Sequence, residues 1–175
     1  MDTMSVAPTP LLPVSRIMYN AERGLFDLRQ GRPLFITDKG ASPSDGGLVS
    51  GALVAAVDGL DLDSLDRFRA MGTEALRLVV TAHRIASMGL SPEEINELGD
   101  AGYSIPLRHA VNMQEILALA CSSDFVYEAA ASQLSPATPG EAAGLSLVRL
   151  SRLLPAVVAM PVGIPPASRI DEALS

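Results

Sequence analysis

The stretch from Arg29 to Ala56 constrains the fold more than any other. Two short apolar runs, Pro33–Thr37 and Leu48–Ala56, flank a polar loop, Asp38–Gly47, rich in Gly, Ser, Pro and Asp. Apolar runs of that length bounded by turn formers read as buried strands. Leu76–Thr81 and Ala156–Met160 have the same character. A strand apolar on successive residues is covered on both faces, the usual situation of a parallel strand. A loop held between rigid strands can display polar groups, so Asp38–Gly47 is where chemistry would sit. Its aspartates are also ordinary turn formers, because Asp bonds its own nearby backbone.

Helical patterns fill the spaces between the runs. Asn20 is placed to cap a helix over Ala21–Gln30, with Leu25 and Leu28 inward and Gly31 ending it. Asp63 or Ser64 caps a helix with Leu65, Phe68 and Met71 on one face. Ala82–Met88 forms a short helix, and Ser91-Pro-Glu-Glu opens another over Leu90–Gly99. Tyr103–Leu107 reads as a short strand cut by Pro106, and Asn112 caps Met113–Ala120. Asp124–Gln133 has helical character, and Pro136–Gly140 is a break. Glu141–Leu154 carries Leu145, Val148 and Leu153 on one face, with Arg149 and Arg152 opposite, and is stopped by Pro155. A helix feeding the strand at Ala156 suggests half of a βαβ unit. The expected fold class is α/β, a mixed sheet covered by helices. Residues 1–15 read as a mobile arm, 16–162 as a single domain and 163–175 as a tail or linker.

Composition narrows the function classes. With 48% hydrophobic and 19% charged residues in 175, the chain can bury a sizeable core. Net charge is −7, and an acidic surface repels phosphate backbones, so no nucleic-acid partner is expected. No apolar run reaches the length of a membrane span and no signal peptide is evident, so a cytoplasmic protein without membrane partners is expected. Cys121 is the single cysteine, which excludes an internal disulfide and a thiolate zinc site. At the end of an apolar helix it reads as a small core residue.

The motifs of dinucleotide, P-loop, zincin and serine-hydrolase sites are absent. Asp38 and Asp45 flank the loop and offer oxygen ligands to a divalent cation. His83 opens a helix after a strand, and His109 follows Arg108, a residue type that suits phosphate. Each reads more simply as part of a solvated turn or helix start.

Three segments together resemble 3,4-dihydroxy-2-butanone 4-phosphate synthase, a lyase of riboflavin biosynthesis. Arg29–Pro33 with Leu34–Thr37 is similar to that family's opening helix, "GRP" turn and first strand. Asp45-Gly46-Gly47-Leu48-Val49 stands where the family's acidic loop ends in "EGDLV". Glu141-Ala142-Ala143, with Leu147–Leu150 and Leu154-Pro155-Ala156, resembles the family's C-terminal helix and following strand. The resemblance spans Tyr19 to Val162 and implies the synthase fold, with Glu141 at a catalytic position and Asp38 and Asp45 at magnesium-binding ones. It also implies a homodimer.

The departures are chemical. The loop Asp38–Gly47 holds two carboxylates and no Glu, Pro139-Gly140 replaces the family's His-Thr, and its Thr-Thr-Gly segment has no counterpart. Magnesium needs oxygen ligands in fixed geometry, and proton transfer needs a titratable group within reach. A degenerate domain of this kind is similar to the N-terminal region of bacterial GTP cyclohydrolase II-type proteins, where it precedes a cysteine-rich zinc domain. Three readings follow. The first is a non-catalytic, synthase-like domain without cofactor, partnered by a cyclohydrolase domain or protein. The second is a magnesium-dependent enzyme acting on a phosphosugar. The third is an unrelated α/β interaction module.

Overall fold

The computed structural model describes residues 13–38, 49–72, 74–89, 102–123 and 134–164. The loop carrying Asp45, the helices expected over Leu90–Gly99 and Asp124–Gln133, residues 1–12 and residues 165–175 lie outside them.

In chain order the elements are α1 (Pro13–Arg29), β1 (Leu34–Thr37), β2 (Val49–Ala56), α2 (Leu62–Ala70), β3 (Arg77–Val80) and α3 (Ala82–Ser87). Then come β4 (Tyr103–Pro106), α4 (Met113–Cys121), β5 (Ser135–Pro136), α5 (Pro139–Leu150) and β6 (Ala156–Ile164). The strands form one six-stranded sheet in the order β1-β2-β6-β3-β4-β5. The α/β class, a sheet covered by helices, is as expected. The parallel pairing and the βαβ unit are not: every pairing among the described strands is antiparallel, including β6 with both β2 and β3.

The central strands are largely apolar because both faces are covered. On one face Ala52, Val54, Val79, Val157 and Ala159 pack with Leu28 of α1 and with Leu145 and Val148 of α5. On the other, Leu78, Val80, Tyr103, Ile105, Val158 and Met160 meet Leu65 and Phe68 of α2, Ile85 of α3, and Ile116 and Leu119 of α4. Alternate residues of one strand therefore serve two cores. Successive apolarity reported coverage, and coverage here comes from helices on both sides of an antiparallel sheet.

Helix limits differ from expectation for local reasons. α1 begins at Pro13, so Asn20 lies inside it rather than capping it; Pro suits a first turn and no breaker follows. The cap of α2 is Asp61, whose side chain accepts from the Ser64 N–H at 2.7 Å, and Met71 on the expected inner face is 55% exposed. Asn112 caps α4 as expected, in a reciprocal box with Glu115. α5 starts two residues before the expected Glu141, because Pro139 lacks only an N–H that a first turn leaves unbonded. It ends at Leu150, where Arg152 turns left-handed (φ 58°) ahead of Pro155.

Cys121 is exposed rather than in the core, and its thiol donates to Leu117 O at 3.1 Å. The buried polar anchor nearby is Arg84. Its Nε donates to Leu119 O at 2.7 Å and its Nη2 to Ala118 O at 3.0 Å, closing the last turn of α4. Burial holds this guanidinium below its ordinary pKa. Among the described residues no helix is long and apolar enough to cross a membrane.

Candidate functional site

Two of the candidate residues, Asp38 and Glu141, meet at the first turn of α5. Thr138 caps the helix: its Oγ1 accepts from the Glu141 N–H at 3.3 Å, and Glu141 Oε2 accepts from the Thr138 N–H at 2.8 Å. Glu141 is wholly buried. Its other oxygen, Oε1, accepts from the Ser104 hydroxyl at 3.5 Å. Ser104 stands opposite Val79 in the sheet, so it shares the face that α5 covers.

Asp38 extends β1 by one residue, its N–H donating to Ser50 O at 3.1 Å. Its carboxylate Oδ1 accepts from the Gly140 N–H at 2.7 Å, a contact across 102 residues of chain. A carboxylate at a helix N-terminus satisfies an unpaired donor and opposes the positive end of the helix dipole. Glycine permits the approach. A Cβ on Gly140 would stand 2.9 Å from Ile36 O and 3.1 Å from Asp38 Oδ1. One turn on, a Cβ at Gly144 would meet Val54 Cγ2 at 3.0 Å. α5 thus lies directly on the β1–β2 hairpin, and that contact fixes where Asp38 and Glu141 stand.

The chemistry open to this arrangement is limited. Glu141 has no solvent access and both its oxygens have donors, so its visible work is to close the helix start. Among the described residues, the Asp38 carboxylate accepts only from Gly140, through Oδ1. Magnesium takes near-ideal octahedral oxygen coordination. Asp38 and Glu141 do not fit it, since Glu141 is buried in its capping box and Asp38 already accepts a backbone bond. Among the described residues no three of His, Cys, Asp and Glu group closely enough to hold a metal. Asp45 lies outside the described residues, so its place relative to Asp38 is not part of this geometry.

Outside this turn, His83 and His109 are both exposed, and Arg108 pairs with Glu115. Sequence reasoning passed over Thr138, Ser104 and Arg77. The signal for Thr138 was present: Thr-Pro-Gly-Glu before an apolar run is a capping box. Ser104 had none, because only strand pairing brings it to Glu141. Arg77 opposes Pro106 and Ala159 on the face that carries Val79, the α5 side. It is half-buried, with no hydrogen-bond or ion-pair partner among the described residues.

No family model and no curated protein matches the chain. Solved structures do. The fold is an α/β domain of the 3,4-dihydroxy-2-butanone 4-phosphate synthase type. The chain is similar to a two-domain 3,4-dihydroxy-2-butanone 4-phosphate synthase from A. baumannii, at 16% identity and a TM-score of 0.53, over 88% of this chain and 52% of that one. It therefore spans about half the length of that protein. A second similar structure is the 3,4-dihydroxy-2-butanone 4-phosphate synthase of Candida albicans, at 15% identity and a TM-score of 0.48, over 79% of this chain and 76% of the other.

Proposed function

We propose that this chain is a non-catalytic, synthase-fold domain of riboflavin biosynthesis, either the N-terminal part or a stand-alone relative of a GTP cyclohydrolase II-type protein. The observation that carries the reading is the state of Glu141. The one catalytic position the resemblance retains is wholly buried and engaged by Thr138 N–H and the Ser104 hydroxyl. A general acid or base must reach the proton it moves. The loop Asp38–Gly47, with two carboxylates, and Pro139, which cannot transfer a proton, support the same reading. A solved neighbour is a two-domain protein whose length this chain half covers, which supports a partner domain here. The acidic balance suits a cytoplasmic protein and not a nucleic-acid binder. A homodimer is part of the proposal by resemblance.

The magnesium-dependent lyase reading keeps one point in its favour: Asp38 and Glu141 do converge on a single helical turn. Formate release from ribulose 5-phosphate, with and without magnesium, separates the two, run beside Glu141→Gln. We expect no turnover above blank. General acid–base help alone is worth about 10² to 10⁴ in rate, and loss of the Lewis acid removes more. Turnover that requires magnesium and disappears in Glu141→Gln overturns the non-catalytic reading.

A further inference from the structure

We propose that a pocket at the opposite end of the sheet from Asp38, on the α2 face, binds a phosphate monoester carried on an apolar body. This goes beyond the function proposed above and does not depend on it. The pocket, of about 270 Å³, lies between the turn that follows α1, the end of β2 and the side of α2 that carries Ser64, Arg67 and Phe68. That volume is near the lower end of small-molecule sites, about 300 Å³. Its floor is apolar, built from Ala55, Leu60 and Phe68. Arg32 comes to it from the turn after α1 and Arg67 from α2, and among the described residues no Asp or Glu lines it, although the whole chain carries −7.

Both guanidinium groups are available. Arg67 donates only to neutral oxygens, Asp63 O at 3.3 Å and Ser64 Oγ at 3.4 Å, and makes no ion pair among the described residues. Its charge contributes a little to holding the Asp61 carboxyl below its ordinary pKa, after the hydrogen bonds from Ser64. Arg32 pairs with Asp27 at a long 3.4 Å and its side chain is 67% exposed, so water competes for it. Two arginine forks match the charge and the oxygen geometry of a phosphate monoester dianion; a carboxylate needs only one. The apolar body is called for by Met71. It follows Phe68 by three residues at the C-cap of α2, lines the same pocket, and is left 55% exposed. Its thioether suits an aromatic partner, and a ring lying over Met71 and the Leu60–Phe68 floor would cover apolar surface that no other described element covers.

The probe is phenyl phosphate, titrated calorimetrically into the purified full chain, with inorganic phosphate, benzyl alcohol and phenylacetate as comparisons. We expect saturable binding of phenyl phosphate, with each comparison at least about tenfold weaker. Arg32→Ala and Arg67→Ala should each weaken it about tenfold or more, the usual worth of a hydrogen bond to a charged group. Arg149→Ala, on the exposed side of α5, should leave it unchanged. Far-UV circular dichroism checks that each variant folds, and Arg→Gln replaces any that does not. Absence of saturable binding overturns the proposal, as does an equal loss in Arg149→Ala. Phenylacetate binding as tightly as phenyl phosphate overturns the phosphate assignment, and inorganic phosphate doing so overturns the apolar body.

Discussion

Removing the Asp38 carboxylate should loosen α5 from the β1–β2 hairpin. In Asp38→Ala the Gly140 N–H loses an acceptor at 2.7 Å, in a half-buried position that water enters poorly. A hydrogen bond to a charged group contributes about 1.5–3 kcal/mol, and the charge–dipole interaction at a helix start about 0.3–1 kcal/mol. Asp38 is not fully buried, so the lower half of the first range applies, and the expected loss is about 2–3 kcal/mol. Against a total stability of roughly 5–15 kcal/mol this is large. A domain of this size shifts about 2–4 °C per kcal/mol, so the melting temperature should fall by about 4–12 °C. Asp38→Asn keeps an oxygen to accept the bond and loses only the charge, so it should cost about 0.3–1 kcal/mol. Urea unfolding of the three proteins, at constant m-value, measures both numbers. If Ala and Asn both fall within about 0.5 kcal/mol of wild type, the start of α5 does not rely on Asp38 and the reasoning fails.

Val79→Asp should prevent folding, since Val79 is fully buried between β6 and α5 and an unpaired buried carboxylate costs several kcal/mol, about the stability of the domain; circular dichroism of the purified variant reads this directly. Gly144→Ala should destabilise by about 1–3 kcal/mol through overpacking on Val54, and a double-mutant cycle with Val54→Ala should recover part of the loss. Arg84→Met should cost about 1–3 kcal/mol by removing the two guanidinium bonds to the Ala118 and Leu119 carbonyls, measured as a lower urea midpoint. The Asp61 carboxyl is held below its ordinary 3.8 by hydrogen bonds from Ser64. A depressed folded-state pKa contributes stability above the unfolded value and loses it as pH falls through the folded one. The advantage of wild type over Asp61→Ala should therefore be present at neutral pH and shrink as pH drops below about 4.

The sequence by itself determined the elements and the class. Leu34–Thr37, Val49–Ala56, Arg77–Val80 and Ala156–Met160 are strands because apolar runs between turn formers have no better local option. Asn112 had to cap α4, because its side chain reaches the Glu115 N–H three residues on. Such signals act within a few residues, so they are legible in a string. Strand direction was not. Ala156–Met160 is apolar whether its neighbours run parallel or antiparallel, and only the crossing of the chain through the sheet set it between β2 and β3. The candidate site divides in the same way. Asp38 and Glu141 could each be singled out as residue types, but their meeting at one helical turn depends on Gly140 and Gly144 letting α5 lie against β1 and β2. The Thr138–Glu141 capping box is local, but the burial of Glu141 also depends on Ser104 arriving from a separate strand. Contacts between residues as far apart as 38 and 140 are products of packing, and no local preference encodes them. Tertiary structure alone decided that this carboxylate closes a helix.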